Sequence, residues 1–294
     1  MKIVLLGANG QVGHELARTL LPLGTVHALR HADADLTELT TLAQRVKDVR
    51  PDLIVNAAAY TAVDRAESDE ATAHRVNALA VGVLADAARS AGALLVHYST
   101  DYVFDGSGSR PWQETDPTGP QSAYGRTKLA GEAAIAASGC RALVFRTSWV
   151  HGGHGGNFIR TMLKLAAERE ALSVVADQIG APTSAELIAD VTMLAIAACR
   201  QDRLDTGLYH LSAAGETSWH GLAVHAIERA RRLGHPVRID QGAIRAIATA
   251  DYPTPARRPA NSRLDTDMLA SALGLALPEW TVHADRTVDQ LIGH

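Results

Sequence analysis

Directly after the apolar run Lys2-Ile3-Val4-Leu5-Leu6, a glycine recurs at every third position in Gly7-Ala8-Asn9-Gly10-Gln11-Val12-Gly13, and helical periodicity begins at Gln11. A short, continuously apolar run is the pattern of a strand buried on both faces. Glycines at the corner between such a strand and a helix permit the tight turn. They also let backbone N–H groups approach a pyrophosphate and let the helix pack close on the strand. This stretch therefore confines the chain to an α/β fold whose first crossover, with Gly7 at its corner, suits a dinucleotide. The spacing is G-x-x-G-x-x-G and not the commoner G-x-G-x-x-G, so the context carries the reading; a purely structural turn is the alternative.

The alternation continues. Apolar runs at Thr25–Leu29, Leu53–Val55, Leu94–Ser99 and Leu143–Arg146 predict further strands. Between them the periodicity predicts four helices. The first runs from Gln11 to Leu21, where Pro22 and Gly24 stop it. The second follows Asp35, which with Glu38 has capping-box spacing, and reaches about Val49. The third is Ala-rich, within Asp69–Arg89, and offers either a dimer face or close packing on the sheet. The fourth spans about Tyr124 to Ala137. Strict alternation means a doubly wound, Rossmann-type parallel sheet covered on both sides. After Trp149 the texture changes to glycine-rich and proline-punctuated loops, short runs such as Ser173–Ala176 and Gly207–Leu211, and helices at Ala185–Cys199 and Trp219–Arg232. The expected division is an NAD(P)-binding domain of residues 1–150 with late segments near 172–200. A smaller, interleaved C-terminal substrate domain takes mainly 151–171 and 205–294.

Composition narrows the function. With 47% hydrophobic and 20% charged residues over 294, disorder is excluded as the main state. A net charge of −4 without a like-charge block argues against nucleic acid as partner. No run approaches the roughly 20 apolar residues of a membrane span; Val191–Cys199 is bounded by Asp190 and Arg200, and the N-terminal run ends at Gly7 without a cleavage site. A soluble, cytoplasmic protein with no membrane partner is expected. Cys140 and Cys199 fit neither a disulfide framework nor a zinc ribbon and read as buried free thiols.

Chemistry enters at Tyr124-Gly125-Arg126-Thr127-Lys128, a tyrosine and lysine one helical turn apart on one face. A nearby ammonium favours a phenolate and is expected to lower the tyrosine pKa from about 10. Ser99-Thr100-Asp101 ends a predicted sheet strand, the place where open α/β sheets bind ligands. Converging there, the three side chains make a ketoreductase site: Thr100 orients the carbonyl, Tyr124 donates the proton and Lys128 tunes it. At the end of the second strand, Arg30 is either a phosphate-pairing cation that favours NADPH or a solvated surface charge, with Asp33 and Asp35 available to a ribose hydroxyl for NADH. Arg257 and Arg258 stand either against a diphosphate or in solvent. Trp149 stacks on a sugar or base, or is a core aromatic; Trp219 and Trp280 read as helix-packing residues. His151 and His154 lack a carboxylate or cysteine partner in sequence, and no metal is assigned to them.

With these motifs the chain resembles the extended short-chain dehydrogenases/reductases, and within them the dTDP-4-dehydrorhamnose reductase family. The resemblance runs from Met1 almost to the C-terminus. It is carried by Gly7–Gly13, the run Val55–Asp64 (VNAAAYTAVD), the run His97–Phe104 (HYSTDYVF), Tyr124–Glu132, Arg146–Val150, Asp177–Thr183 and Arg258–Leu264. It implies cofactor contacts from Gly10, Gln11 and Val12, from Asp35 and Leu36 on the adenine side, and from Ala59, Tyr60 and Thr61 beneath the phosphates. Tyr98, Tyr124 and Lys128 would surround the nicotinamide, while Thr100, Asp101 and Trp149 would meet a dTDP-sugar. The activity implied is NADPH-dependent reduction of a C4 ketone in dTDP-4-dehydro-L-rhamnose. Arg30, where relatives often carry an acid, leans toward NADPH over NADH. Some members hold Mg²⁺ through carboxylates at a dimer contact; Glu15 and Glu186 match two of them, but the third falls on Gln290, with Asp289 adjacent, which leaves both the ion and the choice between monomer and homodimer open. Two rival functions stand: a nucleotide-sugar 4-epimerase or 4,6-dehydratase, and a non-catalytic binding subunit on this fold. Tyr102, where a dehydratase has its glutamate base, counts against dehydration.

Overall fold

A computed structural model describes residues 1–240 and 242–293. Strands β1 (Lys2–Leu6), β2 (Thr25–Leu29), β3 (Leu53–Asn56), β4 (Leu94–Thr100), β5 (Ala142–Thr147) and β6 (Gly207–His210) form one sheet in the order β6-β5-β4-β3-β1-β2. Every pairing in it is parallel. The expected doubly wound sheet is therefore present, and its strand order reverses between β1 and β3, which opens a crevice beyond the strand ends there.

The two-residue period of a strand divides the core. Ile3, Leu5, Leu53, Val55, Leu143 and Phe145 face one layer, where Leu16, Leu20, Ile188 and Ile196 cover them. Val4, Leu6, Ile54, Leu95 and Val144 face the other, beneath Leu42, Val46, Val81 and Leu84. Each such aliphatic side chain contributes roughly 1.5–3 kcal/mol by leaving water, and both layers together hold the strand ends in register.

Local differences from the sequence reading have local causes. The first helix ends at Thr19, and Leu21–Leu23 tighten into a 3-10 turn because Pro22 cannot continue the ladder. The second helix starts only at Leu39: the Asp35 carboxylate accepts 2.8 Å bonds from the Thr37 backbone N–H and hydroxyl, so it closes a turn in place of the capping box. The Ala-rich helix runs Glu70–His74, then a π segment Arg75–Leu79, then Ala80–Ala91. Its small residues serve close packing: Ala80, Val81, Leu84, Ala85 and Ala88 are buried against the sheet. Gly131 of the neighbouring helix Ala123–Ser138 leaves no room for a side chain beside the Asn77 carbonyl.

Helices Phe158–Glu168, Trp219–Arg232 and Trp280–Ile292 build two further apolar clusters. The strand Leu172–Val175 pairs with Ile244–Ile247 outside the main sheet, whereas Gly207–His210 joins the main sheet beside β5. The main sheet thus takes its last strand from beyond residue 205, while Leu172–Val175 stays outside it. Cys199 is buried and Cys140 half-buried, both as free thiols. No helix among the described residues is long and apolar enough to cross a membrane.

Candidate active site

A cavity of about 800 Å³ opens at the carboxyl ends of β1, β3 and β4. Its floor is the glycine loop: Gly7, Gly10, Gln11 and Val12 all reach the wall. Gly7 turns the chain with φ +75°, and a side chain on Gly13 would strike the Gly7 carbonyl oxygen at 2.0 Å. The loop is thus drawn as tightly against the first helix as backbone allows, a cradle for a diphosphate. Asp35 and Leu36 line one end, and Ala59, Tyr60 and Thr61 line the side beyond β3. The π segment fixes that side: Asn77 accepts from the Tyr60 backbone N–H at 2.9 Å and donates to the Tyr60 carbonyl and the Thr127 hydroxyl, each at 3.1 Å. A π turn widens the helix enough to aim one such side chain at a working loop.

At the other end Tyr98, Thr100, Asp101, Tyr124, Lys128 and Trp149 come together in the wall. Ser122 caps the Ala123–Ser138 helix through the Gly125 backbone N–H at 3.1 Å, which starts that helix with Tyr124 in its first turn. The Tyr124 phenol hydrogen-bonds the Thr100 hydroxyl, and its ring meets Tyr102 edge-on at 5.5 Å. Burial, reinforced by the Asp101 carboxylate, pushes Tyr124 up to about 12. The lowering expected from Lys128 is therefore not found. The Lys128 amine is turned elsewhere, donating 2.6 Å to the Tyr98 carbonyl and lying 3.3 Å from His97 Nε2, and burial brings it down to about 8. Asp101 is raised to about 6 by burial. The Tyr98 phenol is tied to Thr192 at 2.9 Å, and burial raises it as well.

Behind this group lies a charge network that the sequence did not announce. Arg146 at the end of β5 makes a two-pronged contact to Glu132, Nε to Oε1 at 2.9 Å and an Nη to Oε2 at 2.6 Å, and Ser99 donates to the same carboxylate. Arg146 and Glu132 side chains are 5% and 9% exposed. The pair bolts the Tyr–Lys helix to β4 and β5.

Trp149 adopts φ +49° and stacks on Trp219 at 3.7 Å, with both rings in the cavity wall. Trp219, expected to pack only between helices, is thus a wall residue; its place as first residue of a helix gave no sign of this. His31, Thr72, Val76 and Tyr102 also line the wall. Two expected contacts lie outside it. Arg30, 68% exposed in its side chain, pairs with Asp33 at 3.2 Å. Arg258 is held by Asp64 in a two-pronged pair at 2.7 and 3.0 Å, an acidic partner close enough to claim it before any diphosphate. The two loop histidines diverge: His151 is buried against the Thr287 hydroxyl at 2.9 Å, and His154 stacks on His14.

The carboxylates matched to the Mg²⁺ contact are already engaged. Glu186 receives Arg286 at 2.8 Å and the Gln290 amide at 2.7 Å, and Glu15 receives Arg18 at 3.3 Å. Gln290 presents an N–H and not an oxygen to Glu186, and a guanidinium sits where a hard cation would need oxygen ligands. These residues do not fit the ion. Among the described residues no group of three or more His, Cys, Asp or Glu converges in a metal-binding arrangement.

A doubly wound sheet with a glycine-floored cavity at its reversal point, walled at the far end by a tyrosine and lysine one helical turn apart, defines an extended short-chain dehydrogenase/reductase. The family model described as RmlD substrate binding domain matches residues 1–292. A dTDP-4-dehydrorhamnose reductase of Burkholderia thailandensis is 53% identical over 284 residues, 95% of each chain. The chain belongs to the dTDP-4-dehydrorhamnose reductase family. Solved structures agree: the reductase of Clostridium acetobutylicum superposes with a TM-score of 0.89 at 36% identity, covering 99% of both chains. That of Bacillus anthracis, in complex with NADP, gives 0.87 at 32% identity over 97% of this chain and 98% of its own.

Proposed function

We propose that this chain is an NADPH-preferring reductase that converts the C4 ketone of dTDP-4-dehydro-L-rhamnose to the alcohol of dTDP-L-rhamnose. The observation that carries the reading is the Tyr124 hydroxyl, bonded to Thr100 in the wall of the cavity floored by the glycine loop. Reduction of a ketone needs one proton at oxygen as hydride arrives at carbon, and the bound dihydronicotinamide supplies the hydride. A phenol held near 12 is fully protonated at neutral pH and still far more acidic than the alcohol it protonates, so Tyr124 is a loaded donor. Thr100 aligns the carbonyl oxygen with it. In this reading Lys128, in the same wall, hydrogen-bonds the nicotinamide ribose once its amine turns from the Tyr98 carbonyl to the cavity, and the stacked Trp149 and Trp219 give a flat face to sugar or base.

Preference for NADPH is supported by His31 in the cavity wall, by the adjacent exposed Arg30, whose pair with Asp33 a 2′-phosphate would have to displace, and by the complex of the Bacillus anthracis relative with NADP. Arg30→Asp replaces a phosphate-pairing cation with an anion, and a charge-assisted bond is worth roughly 1.5–3 kcal/mol. The ratio of kcat/KM for NADPH over NADH is expected to fall about tenfold or more; an unchanged ratio assigns Arg30 to its surface pair with Asp33 alone. Since the Glu15–Glu186 region is satisfied internally, the enzyme is expected to keep its rate after dialysis against EDTA. Loss of activity restored by Mg²⁺ alone would contradict this.

The test that separates reductase from epimerase or dehydratase uses NADPH deuterated on its transferred face. Product is expected to carry deuterium at C4, with one NADP⁺ formed per sugar. Full conversion of sugar with sub-stoichiometric oxidation means that hydride leaves and returns, and the reductase reading is then withdrawn.

A further inference from the structure

His97 lies on β4 beneath the active-site helix, fully buried, and takes no part in the chemistry described so far. Its hydrogen bonds determine where its ring proton sits. The Ala58 backbone N–H can only donate, and it meets Asn56 Oδ1 at 3.2 Å. The amide atom that Asn56 turns to His97 Nδ1, 3.2 Å away, is therefore the NH₂, which also can only donate. Nδ1 must accept, so the proton of the neutral imidazole is on Nε2. That N–H stands 3.3 Å from the Lys128 nitrogen. An ammonium has three donors and no lone pair, whereas a neutral amine can accept. The Tyr98 carbonyl, 2.6 Å from the same nitrogen, takes one of its protons in either state.

We propose that His97 is a positioning residue for the reduction proposed above: locked by Asn56 as its Nε2–H tautomer, it holds the neutral Lys128 amine on the sheet and turns the ammonium outward to the cavity. The inference rests on the assignment of Lys128 to the reductase site. The groups facing Lys128 are few. From β4 come His97 and the Tyr98 carbonyl, and from its own helix comes the Glu132 carboxylate, which favours the ammonium. Asn56, from β3, reaches the lysine only through the imidazole. Burial holds His97 well below its usual range, so the ring stays neutral while Lys128 titrates near 8. Near neutral pH the two protonation states of Lys128 are then both populated and differ in where the amine points. Cofactor engagement by Lys128 becomes a property of His97 as much as of the lysine.

Nuclear magnetic resonance of the full-length enzyme tests this without turnover. The chain has four lysines, so the Lys128 Cε signal is assignable in lysine-labelled protein. In histidine-labelled enzyme, His97 is expected to show an unprotonated Nδ1 and a protonated Nε2 between about pH 6 and 9. Asn56→Asp keeps the bond from Ala58 but presents an acceptor to Nδ1. It is expected to switch His97 to the Nδ1–H tautomer and to raise the Lys128 midpoint by about one pH unit or more, with the basic limb of kcat moving in step. An Nδ1–H tautomer in the unaltered enzyme overturns the proposal, and that measurement decides even where Asn56→Asp does not fold. A switched tautomer with an unmoved Lys128 midpoint overturns it as well. Neither readout depends on which ketone is reduced, so failure of the reductase reading shows in the deuterium experiment and not here.

Discussion

Tyr124→Phe is expected to lower kcat by roughly 10²–10⁴-fold, the usual contribution of a placed general acid, while leaving NADPH affinity nearly unchanged. The substitution deletes one oxygen and keeps the ring, so the edge-on contact with Tyr102 and the start of the helix at Ser122 persist. Thr100 remains beside the carbonyl, but an aliphatic hydroxyl is a far weaker acid than a phenol and cannot take over the transfer. Single-turnover rates together with cofactor titration separate the two effects. Near-normal turnover in the variant would remove Tyr124 from the mechanism.

The second large effect is on stability. Glu132→Ala leaves the Arg146 guanidinium in the interior without its carboxylate, and breaking a buried pair from one side costs about 3–5 kcal/mol. Arg146 has nowhere to turn: it lies over the Phe104 ring at 4.9 Å, and one of its terminal nitrogens already lacks a protein partner. The denaturation midpoint is expected to drop sharply, with activity lost in parallel, because Glu132 lies one turn beyond Lys128 on the same helix. Replacing Glu132 and Arg146 together with apolar residues of similar volume should recover much of the loss. A Glu132→Ala enzyme as stable as the original would mean that Arg146 is solvated in practice.

What could be read in advance follows from how far each signal reaches along the chain. The buried strands were legible because both faces are apolar, and the glycine loop because its glycines answer a local steric demand between Gly7 and Gly13. The Tyr124–Lys128 spacing is one helical turn and needs no tertiary knowledge. Arg30 and Arg258 show the opposite case. Each carries the charge expected for a phosphate, but Asp33 and Asp64 claim them, and the Asp64 partner lies 194 residues away from Arg258. Asp35 has the spacing for a helix cap, but the nearby Thr37 offers it two bonds of 2.8 Å. The Ser99–Glu132–Arg146 network and the stack of Trp149 on Trp219 join residues on separate elements, so no periodicity could reveal them. The Tyr124 pKa lies beyond the sequence for the same reason: spacing places Lys128 near Tyr124, but it does not show that the amine turns to the Tyr98 carbonyl.

The stacked tryptophans have an optical consequence. Trp149 and Trp219 are two of the four indoles in the chain, and both stand in the cavity wall. A reduced nicotinamide absorbs in the near ultraviolet, where indoles emit, so under the function proposed above excitation of this pair is expected to be drained by energy transfer to the bound dihydronicotinamide. Oxidation of that ring removes the acceptor and restores the emission. The cavity thereby carries its own fluorophore in its wall, and the state of a cofactor bound there is expected to be visible in the emission of the unlabelled protein.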